Sequence, residues 1–298
     1  MNPATTALLG VDFTSAPRKR KPITVAHGHL AGAAALQLDG FEHIPDWAGF
    51  EALLARPGPW LGGFDFPFGL PREAVSDLGW PLDWPALLTH CLSLGKPAFR
   101  QALDSYRESR PAGRRYAHRA TDLAAVSHSP LKLVNPPVGL MFLEGAPRLL
   151  AAGLSVPGLH AGDPQRQALE AYPGLLAHTI TRASYKSDDP RKHSPARQAA
   201  RQIIVDALIA GRHPLRLQLR GNEVQLEQLV VDASGDLLDA VLALVEAAAS
   251  LLAGPPGFGL PAEIDALEGW IACAPLPAPG GAEPLADAPE ALLRQALP

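Results

Sequence analysis

Two short apolar runs each end in an aspartate: Ala7-Leu8-Leu9-Gly10-Val11-Asp12 and Trp60-Leu61-Gly62-Gly63-Phe64-Asp65. Carboxylates are poor strand residues and are costly to desolvate. An acid at the tip of two separate buried-looking strands is therefore placed there for its charge. Neighbouring strands that end together put such residues at the carboxyl edge of a sheet, where open α/β folds carry their sites. Taken alone, Asp12 could equally begin a turn, a common role for aspartate. Asp65 is harder to explain that way, because Phe64 and Phe66 flank it.

The pattern predicts an α/β chain. Strand candidates run from Leu8 to Phe13, Ile23 to Leu30 and Ala34 to Leu38, with a basic turn from Thr14 to Lys21 after the first. A helix over Trp47–Leu54 follows, with Asp46 as N-cap, and Pro57-Gly58-Pro59 ends it. A fourth strand, Trp60 to Phe66, stops at Pro67. From about 70 to 167 the chain reads as an insertion of loops and short helices, with helical stretches at Trp84–Leu94 and Ala98–Arg107. Ala168–Tyr172 is a short strand candidate closed by Pro173-Gly174, and Ala196–Ala210 is helical. The clearest helix is Asp236–Leu252, with Leu238, Leu242, Val245, Ala249 and Leu252 on one stripe. These elements predict one domain over 1–273 and a Pro/Ala-rich tail over 274–298.

With 47% hydrophobic residues, the 298-residue chain can bury a large core. No apolar stretch approaches the roughly 20 residues needed to cross a bilayer, and the start lacks the pattern of a secretory leader. Cys91 and Cys273 have no metal-type spacing, so the expectation is reduced thiols in a cytoplasmic protein. The net charge of −4 argues against a general nucleic-acid coat but leaves a local basic groove open.

Further acids join the strand-tip pair. Asp236 and Asp239 lie three residues apart on the last helix and so share a face. Asp236 has an ordinary alternative role at the positive end of the helix, with Ser234 or Asp232 as cap. Asp239 sits a turn inside, among leucines, and needs a cation or an arginine. Glu170 either completes the acidic group or pairs with an arginine such as Arg166; Glu51 reads as a surface residue. Carboxylates that converge without a cation repel and raise one another's pKa. An all-oxygen set suits Mg²⁺ or Mn²⁺, and two such ions about 3.5–4 Å apart can clamp a phosphate.

Basic segments offer that phosphate a partner: Arg18–Lys21; Arg107, Arg110, Arg114, Arg115 and Arg119; and Lys186, Arg191, Lys192, Arg197 and Arg201. Solvated loops are the plain alternative for each group. Ser93-Leu94-Gly95-Lys96 is a chance Ser-x-x-Lys match, and the chain has no Walker loop, Gly-x-Ser-x-Gly elbow or Gly-x-Gly-x-x-Gly fingerprint.

Seven motifs occur in order: Gly10-Val11-Asp12-Phe13-Thr14-Ser15, Gly63-Phe64-Asp65-Phe66-Pro67-Phe68-Gly69-Leu70-Pro71, Ser129-Pro130-Leu131-Lys132, Val134-Asn135-Pro136-Pro137-Val138-Gly139, Glu170-Ala171-Tyr172-Pro173-Gly174, Ser184-Tyr185-Lys186-Ser187-Asp188 and Gly235-Asp236-Leu237-Leu238-Asp239-Ala240-Val241. From about Leu8 to Trp270 the chain thereby resembles the bacterial family called domain of unknown function 429, predicted to be RNase H-like nucleases. The resemblance implies a mixed five-stranded sheet with flanking helices. It also implies metal binding by acids of the first strand, the fourth strand and a C-terminal helix, here Asp12, Asp65 and Asp239 or Asp236. Ribonuclease H proper adds a glutamate on its first helix, where this chain offers only Glu51. Resolvase-type relatives use two acids on the last helix, which Asp236 with Asp239 matches better.

The resulting expectation is a Mg²⁺- or Mn²⁺-dependent nuclease. Asp12, Asp65, Asp236 and Asp239 would hold metal, with Glu170 in support, and Lys186, Arg191, Lys192, Arg114 and Arg115 would contact nucleic acid. A nucleotide-binding phosphotransferase-like protein and a non-catalytic binding module of the same fold are the rivals.

Overall fold

The computed structural model describes residues 1–277, so most of the expected tail lies outside the described residues. The strands are β1 (Ala7–Asp12), β2 (Ile23–Leu30), β3 (Ala35–Ile44), β4 (Trp60–Asp65), β5 (Leu154–Ser155), β6 (Asp163–Glu170) and β7 (Gln218–Arg220). They form one mixed sheet in the order β5-β6-β4-β1-β2-β3-β7. Strands β1, β2 and β3 pair antiparallel, whereas β4 and β6 run parallel to β1. The expected five strands are thus joined by two more at the sheet edges. β5 and β7 have two and three residues, too few to show any alternation in sequence.

Helices α1 (Trp47–Leu54), α2 (Arg72–Asp77), α3 (Trp84–Ser109), α4 (Ala120–Ala125), α5 (Val138–Ala151), α6 (Pro173–Ile180), α7 (Pro195–Ala210), α8 (Glu223–Val231) and α9 (Asp236–Ala253) flank the sheet. Asp46 caps α1 by accepting from the Gly49 amide. The two helical stretches expected before Arg107 are the two arms of α3, parted by a kink at Gly95, whose φ of 68° and ψ of 163° are not helical. Pro173 does not close a strand; it is the first residue of α6, where its missing N–H costs nothing.

Each face of the sheet carries its own core. On one, Leu9, Val11, Phe13, Phe64 and Phe66 join Trp84, Phe99, Leu103, Phe142 and Leu149. Residues 70–167 therefore supply more than half of this core. On the other face, Leu8 and Leu61 meet Leu238, Val241, Leu242, Val245 and Ala248 of α9.

Strand alternation turns Leu8, Gly10 and Asp12 toward α9, along with Leu61, Gly63 and Asp65. The two glycines let the helix come close. A Cβ on Gly10 would lie 2.0 Å from the Ala240 carbonyl oxygen, and one on Gly63 would lie 2.6 Å from that of Ala243. Cys91 and Cys273 are free thiols. Among the described residues, no helix is long and apolar enough to cross a membrane.

Candidate functional site

Asp12 and Asp65 are directly opposite one another in the parallel β1–β4 register. Because α9 presses on Gly10 and Gly63, Asp239 in its first turn reaches the same point. One carboxylate oxygen from each of Asp12, Asp65 and Asp239 lies within 4.8 Å of the other two.

The three acids differ in what already holds them. Asp239 is buried and accepts a hydrogen bond from the Tyr185 hydroxyl at 2.6 Å and another from Lys186 Nζ. Among the described residues, no protein hydrogen bond reaches the Asp12 or Asp65 carboxylate, although Asp12 is only 9% exposed. Burial, then repulsion by Asp236, Asp239 and Asp65, holds the Asp12 pKa well above the usual carboxylate range, with Lys186 opposing. Burial pushes Asp65 up to about 7; Lys186 pulls the other way, while Asp239 and Glu170 add to the rise. Burial also works against the Lys186 ammonium, yet Asp239, Tyr185, Asp65 and Asp12 outweigh it and raise its pKa.

Asp236 stands beside the triad and is paired: Lys21 Nζ lies 2.8 Å from it and 2.7 Å from Asp188. Its pKa is raised by burial, against the pull of Lys21. The N-cap of α9 is Gly235, not Ser234 or Asp232; Asp232, three residues before it, accepts from the Leu237 amide at 3.0 Å and from Ser234.

Glu170 is committed elsewhere. Arg119 grips both its oxygens at 2.6 and 2.8 Å, and the Phe68 amide donates to it at 2.9 Å. Its carboxylate fixes the loop after Asp65 and does not join the triad. Arg166, the partner considered from sequence, bonds Asp163 instead. Arg119 was grouped with a surface patch, yet it is 1% exposed and also pairs with Asp122. Glu51 lies at the surface against Arg148.

Of the five expected substrate contacts, only Lys186 lines the cleft above the acids, a cavity of about 400 Å³. Arg191 is exposed and clasped by Asp189, Lys192 follows it in the same exposed turn, and Arg114 and Arg115 lie in the exposed loop after α3.

Glu246 escaped the sequence reading. It lies seven residues beyond Asp239 on the same face of α9, fully buried. One oxygen accepts from the Tyr172 amide at 2.9 Å and the other has no protein partner. Burial pushes its pKa up to about 8. The available signal was an acid inside the otherwise apolar run Ala240–Ala249.

Buried charges are normally paired or metal-bound. Two unpaired carboxylates facing a third across an open cleft fit a hard divalent cation with oxygen ligands. Comparison with protein-family models, with curated proteins and with solved structures gave no match.

Proposed function

We propose that this protein is a Mg²⁺- or Mn²⁺-dependent phosphodiesterase acting on nucleic acid, with an RNase H-like fold of the domain-of-unknown-function-429 type. The observation that carries the reading is the convergence of Asp12, Asp65 and Asp239, the first two with no protein hydrogen bond among the described residues. The run β3-β2-β1-β4-β6, antiparallel on one side of β1 and parallel on the other, is the strand pattern that resemblance implies and so supports it.

Asp12, Asp65 and Asp239 would hold the cation, which when bound neutralises phosphate charge and lowers the pKa of water. Tyr185 orients Asp239 through its hydroxyl. Lys186, with its ammonium beside that carboxylate, neutralises a non-bridging phosphate oxygen. Lys21 holds Asp236 beside the triad as a supporting acid. Glu170 and Arg119 keep the Asp65 loop in place.

Calorimetric titration of Mn²⁺, followed by cleavage assays on single-stranded, duplex and hybrid DNA and RNA, tests the reading. Expected are metal binding and cleavage, both lost in Asp65→Asn. Wild-type protein that binds no metal and cleaves none of these substrates sinks it.

A further inference from the structure

The cleft is lined by two chemically different sets of residues. Asp12 and Asp65, with Lys21 and Lys186, line part of it, and Pro137, Val138 and Met141, where α5 begins, line another part. His128 lines the same cavity. Burial, then the nearby Lys132 ammonium, pushes its pKa down to about 4, so it offers a neutral ring. A cavity of about 400 Å³ falls within the roughly 300–1,000 Å³ of small-molecule sites. A specific duplex interface, in contrast, buries on the order of 1,000–2,500 Å² of protein surface and neutralises many phosphates at once.

Four of the arginines read from sequence as a phosphate track are engaged within the protein. Arg107 pairs with Asp104, Arg110 with Glu73, Arg119 with Glu170 and Arg191 with Asp189. Beside the acids of the cleft stand Lys21 and Lys186, each of which also pairs with an aspartate.

We propose that the cleft takes a single nucleotide-sized unit, its phosphodiester at the Asp12–Asp65–Asp239 triad and its ring system against Val138 and Met141. This deepens the phosphodiesterase reading and rests on it. The substrate is then a strand end or a free nucleotide ester, not the interior of a duplex. Water oxygen bonds to phosphorus, the ester bond to the neighbouring group breaks, and the leaving oxygen takes up a proton. The products are a nucleoside monophosphate and an alcohol, which for a polymer is a strand one unit shorter.

The test has a binding arm and a cleavage arm. Thymidine 5′-monophosphate is titrated into protein held with Ca²⁺, using wild type, Val138→Trp and Met141→Trp. Each variant is expected to weaken nucleotide binding at least tenfold while leaving the Mn²⁺ isotherm and melting temperature near wild type. Two variants guard against one that misfolds. With Mn²⁺, a linear oligonucleotide is compared with the same sequence closed into a covalent circle, and with thymidine 5′-(4-nitrophenyl) phosphate. Stepwise shortening of the linear strand assigns strand ends; hydrolysis of the nitrophenyl ester alone assigns free nucleotides; either way the circle survives. If the circle is cut as fast as the linear strand, or the monophosphate does not bind although Mn²⁺ does, the inference falls and the metal-site reading stands. If Mn²⁺ does not bind at all, both fall.

Discussion

Asp12 and Asp65 are register partners on adjacent parallel strands, each two residues past a glycine that faces α9. Parallel pairing places the two acids side by side at the carboxyl ends of these central strands, and the protein supplies neither carboxylate with a hydrogen bond among the described residues. Replacing Asp65 with asparagine keeps the shape but removes one ligand and one charge. Mn²⁺ affinity is expected to fall at least a hundredfold by calorimetry, while the metal-free variant melts no lower than wild type. A variant that binds Mn²⁺ as tightly as wild type removes Asp65 from the site.

The raised pKa of Asp65 gives a signed pH dependence. Its folded value of about 7 lies above the ordinary carboxylate value, so between roughly pH 4 and 7 the folded state binds more protons than the unfolded one. Its contribution therefore opposes folding increasingly as pH rises through that window. His128, His178 and His213 have lowered pKa values and act in the opposite sense below about 6.5. The difference between wild type and Asp65→Asn cancels them. In EDTA, the melting temperature of wild type minus that of the variant is expected to drop by several degrees between pH 5 and pH 8. Saturating Mn²⁺ should abolish the drop. A difference that is flat with pH contradicts the raised value.

Lys186 brings its ammonium to the carboxylate that the cation also needs. Two unit charges about 4 Å apart interact by roughly 4 kcal/mol at an effective dielectric constant of 20. Removing the ammonium relieves its competition with a divalent ion. Lys186→Met is expected to bind Mn²⁺ about tenfold more tightly while cleaving phosphodiesters at least tenfold more slowly. Opposite changes in affinity and rate distinguish this role from simple damage, which would lower both.

Arg119 is a fully buried guanidinium between Asp122 and Glu170. Removing one member of a buried ionic group leaves the others uncompensated, at about 3–5 kcal/mol. Arg119→Met is expected to lose that much in denaturant unfolding. Arg119→Lys should recover little, because one ammonium cannot reproduce the paired contacts to two carboxylates. A loss below about 1 kcal/mol would mean that the clamp is not structural.

What the sequence revealed and what it hid divide along physical lines. The strand acids were legible because a charge ending an apolar run contradicts local propensity. Asp239 was legible because it lies a turn inside a helix among Leu237, Leu238, Ala240, Val241 and Leu242. Glu170 was not assignable: its partner, Arg119, lies 51 residues away among Arg107, Arg110, Arg114 and Arg115, from which nothing in the sequence separates it. Lys186 and Arg191 looked equivalent, yet the first turns into the cleft and the second bonds an aspartate two residues away. Such choices depend on tertiary packing, and neither periodicity nor composition records them. β5 and β7 escaped for a simpler reason, since strands of two and three residues carry no pattern.

The glycine before each strand acid makes one more relationship testable. Gly10 offers no ligand, but a Cβ there would overlap the Ala240 carbonyl and crowd Leu244. The backbone of α9 must move away from β1, and Asp239 moves with it because it adjoins Ala240. Gly10→Ala is therefore expected to destabilise the fold by at least the 1–3 kcal/mol typical of overpacking. It should also weaken Mn²⁺ binding at least tenfold in the fraction that stays folded. Gly40→Ala is the matched control, since nothing lies within 4 Å of its Cβ position. That variant should change neither quantity. If Gly10→Ala unfolds more easily yet binds Mn²⁺ as wild type does, α9 is not held at the acids by this contact, and the spacing of glycine and aspartate on β1 serves packing alone.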